Sequence, residues 1–284
     1  MSLIAAGAAP NPFPLKNGGL LELTFIGAGG AFSKKFHQNN LLVVKGEDHL
    51  LVDCGTRAPE ALASRALTVG AVSNYLITHS HADHIGGLEE VMLMGRYAFK
   101  KKPTMVATKR LARILWDMSL RGGASYNEAR GGRGLRFGDF WDLKPPSRIK
   151  RADREMAEAS IGGIGIKIFR TMHIPDSSKS WKSSFPSYGL ILDDRVLYTS
   201  DTRYDPGMVS SLDGEYGFDA IFHDCQFFPG GVHASLDELA GLSPAIRAKT
   251  MLMHYGDKVE EMAGRIAELG FAGRAEEWKT YRLE

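Results

Sequence analysis

Two cysteines in 284 residues, Cys54 and Cys225, are too few for a disulfide framework and fit a reducing cytoplasm. No run of about 18 apolar residues occurs, so no membrane-spanning helix is expected. "MSLIAAGAAP" has no basic start and too short an apolar stretch for a secretory signal. No internal repeat and no low-complexity tract interrupts the chain. A dinucleotide fingerprint is also lacking: "FIGAGGAF" (25–32) offers Gly27 and Gly29, but Phe32 stands where the third glycine belongs. That stretch reads as a tight turn.

What remains is globular material, 44% hydrophobic and 24% charged, with 32 glycines of the kind that serve tight turns in sheet-rich α/β folds. The length suits a substantial core. The reading is an N-terminal extension at 1–20, one domain over 21–284, and a basic insertion around 121–164. Net charge is only +2, yet Arg96 to Arg154 holds sixteen Lys and Arg against five Asp and Glu. Such a stretch is either a solvated face or a field that draws phosphorylated or polyanionic substrates.

Short apolar runs closed by glycine predict strands at 21–27, 41–45, 49–55 and 74–78, with a helix over 58–67. A helix over 86–99, a strand at 104–108 and a helix over 109–120 follow. In that last helix Leu111, Ile114, Leu115 and Met118 keep the spacing of one buried stripe. Strand patterns return at 165–174, 187–193, 195–201, 219–225 and 250–256, and helices are expected over 235–248 and 258–269. Several strands then helices in each half predict two packed sheets with helices outside.

"LITHSHADHIGGL" (76–88) crowds His79, His81, Asp83 and His84 into six positions after an apolar run. Imidazoles and carboxylates are ligands for Zn²⁺ and similar ions, and one ion needs three or four of them. His79 and His81 alternate on an extended segment and can point to one side. Asp83 and His84 lie a turn further and can face a second ion. Partners should come from other strand ends, where His173, Asp201 and His254 are candidates.

"THSHADH", with the later His, Asp and His, resembles the signature of the metallo-β-lactamase superfamily, and the likeness runs from Leu21 onward. It implies an α/β fold, the αββα sandwich of two mixed sheets with helices outside. It implies His79, His81 and His173 as ligands of a first ion, Asp83, His84 and His254 of a second, and Asp201 as the bridge. Asp53, in "LLVDCG", resembles an aspartate that hydrogen-bonds the ligand loop. Cys54 and Cys225 then read as buried apolar residues.

"HDCQFFPGGVHASLDEL" (223–239) resembles the paired motifs of ribonuclease Z, which makes His233 a general acid oriented by Asp224; Asp83 is counted as both ligand and catalytic residue. The run Gly-Glu-Gly-Thr-Gln of that family is missing, as is a Gly- and Pro-rich arm for a transfer RNA. The chain therefore looks closer to compact cyclic-nucleotide phosphodiesterases such as the anti-Pycsar enzymes, which open nucleoside 3′,5′-cyclic monophosphates. On that resemblance the cofactors are two divalent ions, Zn²⁺ with Mn²⁺ as the alternative, and the assembly is a cytoplasmic homodimer. Trp181, Phe185 and Ser235 are the substrate-binding candidates, the two aromatics offering faces for a base. Alternatives are an RNA-processing endonuclease that uses the basic stretch, a thioesterase or lactamase, and a metal-stabilised scaffold.

Overall fold

The computed structural model describes residues 12–126, 128–151 and 153–284; most of the expected N-terminal extension, residues 1–11, lies outside the described residues. Of the rest of that extension, Phe13 packs on Trp278 with ring centroids 5.3 Å apart.

The chain first lays down an antiparallel meander of β1 (Leu21–Gly27), β2 (Asn40–Lys45) and β3 (Asp48–Val52). It then adds β4 (Asn74–Leu76) and β5 (Thr104–Val106) parallel to β3. A small hairpin of β6 (Ala129–Arg130) and β7 (Arg133–Gly134) precedes β8 (Asp142–Lys144), which extends the first sheet beside β5. Pro145 and Pro146 carry the chain across to the second sheet. There β9 (Ser147–Ile149), β10 (Met156–Ile161), β11 (Ile164–Arg170), β12 (Tyr188–Leu192) and β13 (Val196–Tyr198) run antiparallel. β14 (Ala220–Asp224), β15 (Thr250–Met253) and β16 (Gly273–Arg274) continue it in parallel. Finally β17 (Thr280–Leu283) returns to the first sheet alongside β1. Each sheet is thus half antiparallel and half parallel.

The two sheets meet face to face. Phe25 of β1 lies 5.0 Å from the Phe222 ring of β14 and 6.4 Å from Tyr198 of β13. β12 is buried along its whole length, and β2 from Asn40 to Val44, as expected for strands covered on both faces. Helices such as Ala58–Ala63 and Leu88–Leu93 complete the sandwich, turning Ala58, Ala61, Leu62, Leu88 and Val91 inward. No helix of the described residues is long and apolar enough to cross a membrane.

Several expectations need correction. The stretch 121–164 is not an insertion outside the core, because β8 widens the first sheet and β9 and β10 widen the second. β8 and β9 have three residues each and β10 is exposed or half-buried between its two ends, which hid them. Met118 is 79% exposed although the stripe predicts burial. Residues 115–120 form a π-helical turn, and its wider winding moves the buried position from 118 to Leu120. The helix expected over 235–248 is two short ones, Leu236–Leu239 and Pro244–Arg247, capped by Ser235 and Ser243. The longest α-helix, Pro206–Tyr216, was not expected at all. Its Asp205 cap, Pro206 and left-handed Gly217 are helix-end signals, but Gly207, Ser210, Ser211 and Gly214 break the apolar period between them.

The parallel halves decide where chemistry can occur. β3, β4 and β5 of one sheet and β13, β14 and β15 of the other all end at one rim. Loops leaving those ends approach closely. A Cβ on Gly55, just past β3, would lie 2.0 Å from the carbonyl oxygen of Asp83. Backbone blocks it, so Gly55→Ala should destabilise the fold by about 1–3 kcal/mol or more, as overpacking does. A lower thermal midpoint than wild type checks this, and an unchanged one would show that the loops yield freely.

Candidate metal centre

Seven side chains from both sheets converge at the rim. His79 and His81 leave β4 in extended form, and Asp83 and His84 sit on the one-turn helix Ala82–Ile85 that follows. His173 lies three residues beyond β11, Asp201 three beyond β13, and His254 directly after β15. All but His81 are buried. Three residues at these exits hold a left-handed backbone without being glycine: Asp53 at φ 63°, Ser200 at 51° and His254 at 57°. Such positions cost roughly 1–3 kcal/mol each and gather at functional sites.

Three donor sets share Asp201; one joins it with His254 to Asp224 and His233, and the other two hold the seven side chains. His79, His81, His173 and Asp201 form one, and Asp83, His84, Asp201 and His254 the other. In the first, His81 Nδ1 lies 3.1 Å from His79 Nε2 and 3.2 Å from His173 Nε2, and Asp201 Oδ2 is 3.7 and 3.8 Å from those two nitrogens. In the second, Asp83 Oδ2 is 3.2 Å from both His84 Nε2 and His254 Nε2, while Asp201 Oδ2 is 3.3 and 3.4 Å from them. Four ligands at about 2.0–2.1 Å around a tetrahedral ion stand about 3.3–3.4 Å from one another. Both sets have that scale.

The far sides of the rings fix which atoms face inward. Asp53, fully buried, accepts from His84 Nδ1 at 2.7 Å, from the Thr78 amide at 2.8 Å and from the Thr78 hydroxyl at 2.7 Å. His173 Nδ1 donates to the carbonyl of Val232 at 2.9 Å, and His79 Nδ1 lies 3.1 Å from the Thr78 hydroxyl. With those protons outside, the inner Nε2 atoms carry lone pairs aimed at one point. His84 Nε2 and both Asp201 oxygens are buried with no hydrogen-bond partner. A buried carboxylate left so is costly unless a cation meets it. The residues present therefore fit metal ions.

Electrostatics agree. Burial holds His79 well below the usual imidazole range and His173 down at about 4, so both are neutral and able to ligate. Burial would also lower His84 and His254, but Asp201 foremost, with the other carboxylates around them, raises both well above the ordinary value. Burial opposes ionisation of Asp201, yet His254 and His84 bring it well below the usual carboxylate range. The cluster of Asp83 and Asp201 calls for positive charge, from protons or from a metal.

A further pair adjoins this centre. Asp224, at the end of β14 and fully buried, accepts from His233 Nδ1 at 2.7 Å and from the Thr202 amide at 2.9 Å. Its other oxygen lies 3.4 Å from His254 Nδ1, and the His233 ring stacks on His254 at 4.7 Å. Burial lowers the affinity of His233 for a proton, but Asp224 more than offsets it, so its pKa lies above the ordinary value.

Not every candidate gathers here. Ser235 caps the helix Leu236–Leu239: it is 3% exposed, its hydroxyl donates to Glu238 at 2.7 Å and accepts from the Glu238 amide. Trp181 stands off the centre, its ring 5.8 Å from the Arg170 guanidinium and facing a pocket that contains none of the seven ligands. Phe185 is half-buried, and its backbone is held by Ile174 and Arg170. Cys54 and Cys225 are buried, and burial pushes both thiols up. Sequence reasoning missed Thr78 as the link from Asp53 to His79, although it opens the motif. It also missed the Val232 carbonyl, for which a backbone atom leaves no signal.

Fold and donor sets define a protein of the metallo-β-lactamase fold. YhfI from Bacillus subtilis, a metallo-β-lactamase fold protein, superposes with a TM-score of 0.65 at 16% identity over 93% of this chain and 100% of that one. The short form of human tRNase Z gives 0.60 at 17% identity over 92% and 98%. A family model described as Anti-Pycsar protein Apyc1 matches residues 21–281, and the Anti-Pycsar protein Apyc1 of Paenibacillus harenae is 36% identical over 250 residues, 88% of this chain and 95% of that protein. The chain belongs to the Anti-Pycsar protein Apyc1 family.

Asp53 provides the test of this geometry. Asp53→Ala should lower affinity for added Zn²⁺ about 10–100-fold, the usual cost of removing a ligand's outer partner. Competition with a chromophoric chelator measures it. Unchanged affinity would mean that His84 needs no orienting partner.

Proposed function

We propose that this protein is a two-metal phosphodiesterase that opens the cyclic phosphate of nucleoside 3′,5′-monophosphates. The observation that carries the reading is the Asp224–His233 pair placed against both donor sets, with His233 Nδ1 only 4.0 Å from the shared Asp201. Family membership points the same way, since the relatives are named for opposing Pycsar.

Two divalent ions, Zn²⁺ or Mn²⁺, would be held by His79, His81 and His173 and by Asp83, His84 and His254, with Asp201 between them. When bound, they supply Lewis acidity at a phosphoryl oxygen and a nucleophile at neutral pH. The chain's own residues do the rest. Asp224 holds the Nδ1 proton of His233 and so turns Nε2 toward the rim. Burial works against its charge, but Asp224 more than offsets this and favours the protonated ring, so His233 is suited to give a proton to the ribose oxygen that leaves phosphorus. The side chain is 21% exposed, enough to meet a substrate at the mouth, whereas Asp224 never reaches solvent.

Part of the positive charge of the 96–154 stretch is committed to ion pairs within the protein, which weakens it as a track for RNA. Arg96 pairs with Glu128, Lys102 with Asp142, Arg130 and Arg133 with Asp139, and Arg154 with Asp205. A polyanion track needs such charges free.

Two measurements test the reading. Elemental analysis should find close to two transition-metal ions per chain, and Asp201→Ala should weaken both. Two tightly held ions in that variant would remove the bridging role. His233→Ala should keep the metals but lose about 10²–10⁴ in kcat on a cyclic nucleotide, the range of a positioned general acid. Bis-p-nitrophenyl phosphate should suffer far less, because p-nitrophenolate leaves without a proton. Equal losses on both would assign His233 to phosphate positioning.

A further inference from the structure

A concavity of about 490 Å³ has walls that include Arg148, Arg151, Arg154, Glu155, Trp181 and Lys182. Thr108, one position beyond the loop after β5, closes it on the first-sheet side. None of the seven ligands, nor Asp224 or His233, lines it.

Its charges fall into two groups. Arg154 donates to Asp205 and to the carbonyl of Arg170, and Arg151 donates to Asp153 and Glu215, so both are held in place. The single acidic wall residue, Glu155, stands 3.9 Å from the buried guanidinium of Arg170. Among the described residues the side chains of Arg148 and Lys182 have no ion pair and no hydrogen bond, and the Lys182 ammonium lies over the Trp181 ring. The uncommitted charge of the pocket is therefore cationic. Arg170 also sits 5.8 Å from the Trp181 ring and Lys182 5.5 Å from it, and the indole is half-buried.

Arg170 makes this wall rigid. It is 3% exposed and donates to the carbonyls of Trp181, Ser184 and Phe185, tying the 174–187 loop to β11. Trp181 is thus presented by a fixed backbone. An indole face with free cations beside it, in a space of this volume, suits a flat ring carrying a phosphate.

We propose that this pocket is a nucleotide-binding site separate from the metal centre, with Trp181 taking the base and Arg148 and Lys182 the phosphate. It does not depend on which reaction the metal centre performs. Photolabelling of the metal-loaded protein with 8-azidoadenosine 5′-monophosphate, followed by peptide mapping, tests it. Label should fall on 146–157 or 180–183 and drop at least tenfold in Arg148→Glu/Lys182→Glu. Lys150→Glu, an exposed neighbour outside the pocket, should leave it unchanged. Excess 5′-AMP should suppress it and adenosine should not, because the phosphate is what the cations hold. Label confined to the loops around His233, equal labelling in the double variant, or equal competition by adenosine would each overturn the proposal. Failure of the phosphodiesterase reading would show instead in turnover and metal content, which this labelling does not use.

Discussion

A carboxylate buried between four imidazoles, with no hydrogen bond to either oxygen, is the constraint around which this molecule is arranged. Asp201 is 1% exposed, and both its oxygens lack a partner. Left alone, such a group would be expelled to water or protonated. It stays because two sheets deliver His79, His84, His173 and His254 to it from separate strand ends. Holding those exits requires left-handed backbone at Asp53, Ser200 and His254, a local cost that the sandwich core offsets. The Asp53–Thr78–Ser200 hydrogen bonds then tie the two sheets together directly behind the ligands.

Sequence made the donor cluster legible because its spacing is chemical. His79, His81, Asp83 and His84 stand where alternation on an extended segment and one helical turn would aim them, and the structure places them in two sets. Strand ends supplied His173, Asp201 and His254 for the same reason. What stayed hidden depends on contacts without a residue code. The Val232 carbonyl that orients His173 could belong to any amino acid. The loop that carries Trp181 and Phe185 is held by Arg170, buried several residues upstream, through the carbonyls of Trp181, Ser184 and Phe185. No local pattern announces such a tie.

The fold was legible where strands are long and apolar, as at 21–27, whose limits coincide with β1. It was obscure where strands are short or half-polar. β8 shows only Asp142, Leu143 and Lys144, and of β17 only Leu283 is buried. Their membership comes from neighbours in space, since a three- or four-residue ladder is stabilised by the sheet it joins. The π-helical turn at 115–120 likewise defeats a stripe argument built on 3.6 residues per turn.

The pairing of β1 with β17 joins residues some 260 positions apart: Thr24 and Thr280 even share a hydrogen bond between their hydroxyls at 2.9 Å. During synthesis β1 emerges early and must wait, its outer edge unsatisfied, until Thr280–Leu283 has left the ribosome. Contacts so distant in sequence slow folding and leave a strand edge open to wrong partners in the meantime. The first sheet, which supplies His79, His81, Asp83 and His84, is therefore finished only when nearly the whole chain is out. Asp201 and His254 also come late, so the two donor sets at the rim can close only when nearly all of the residues described are out.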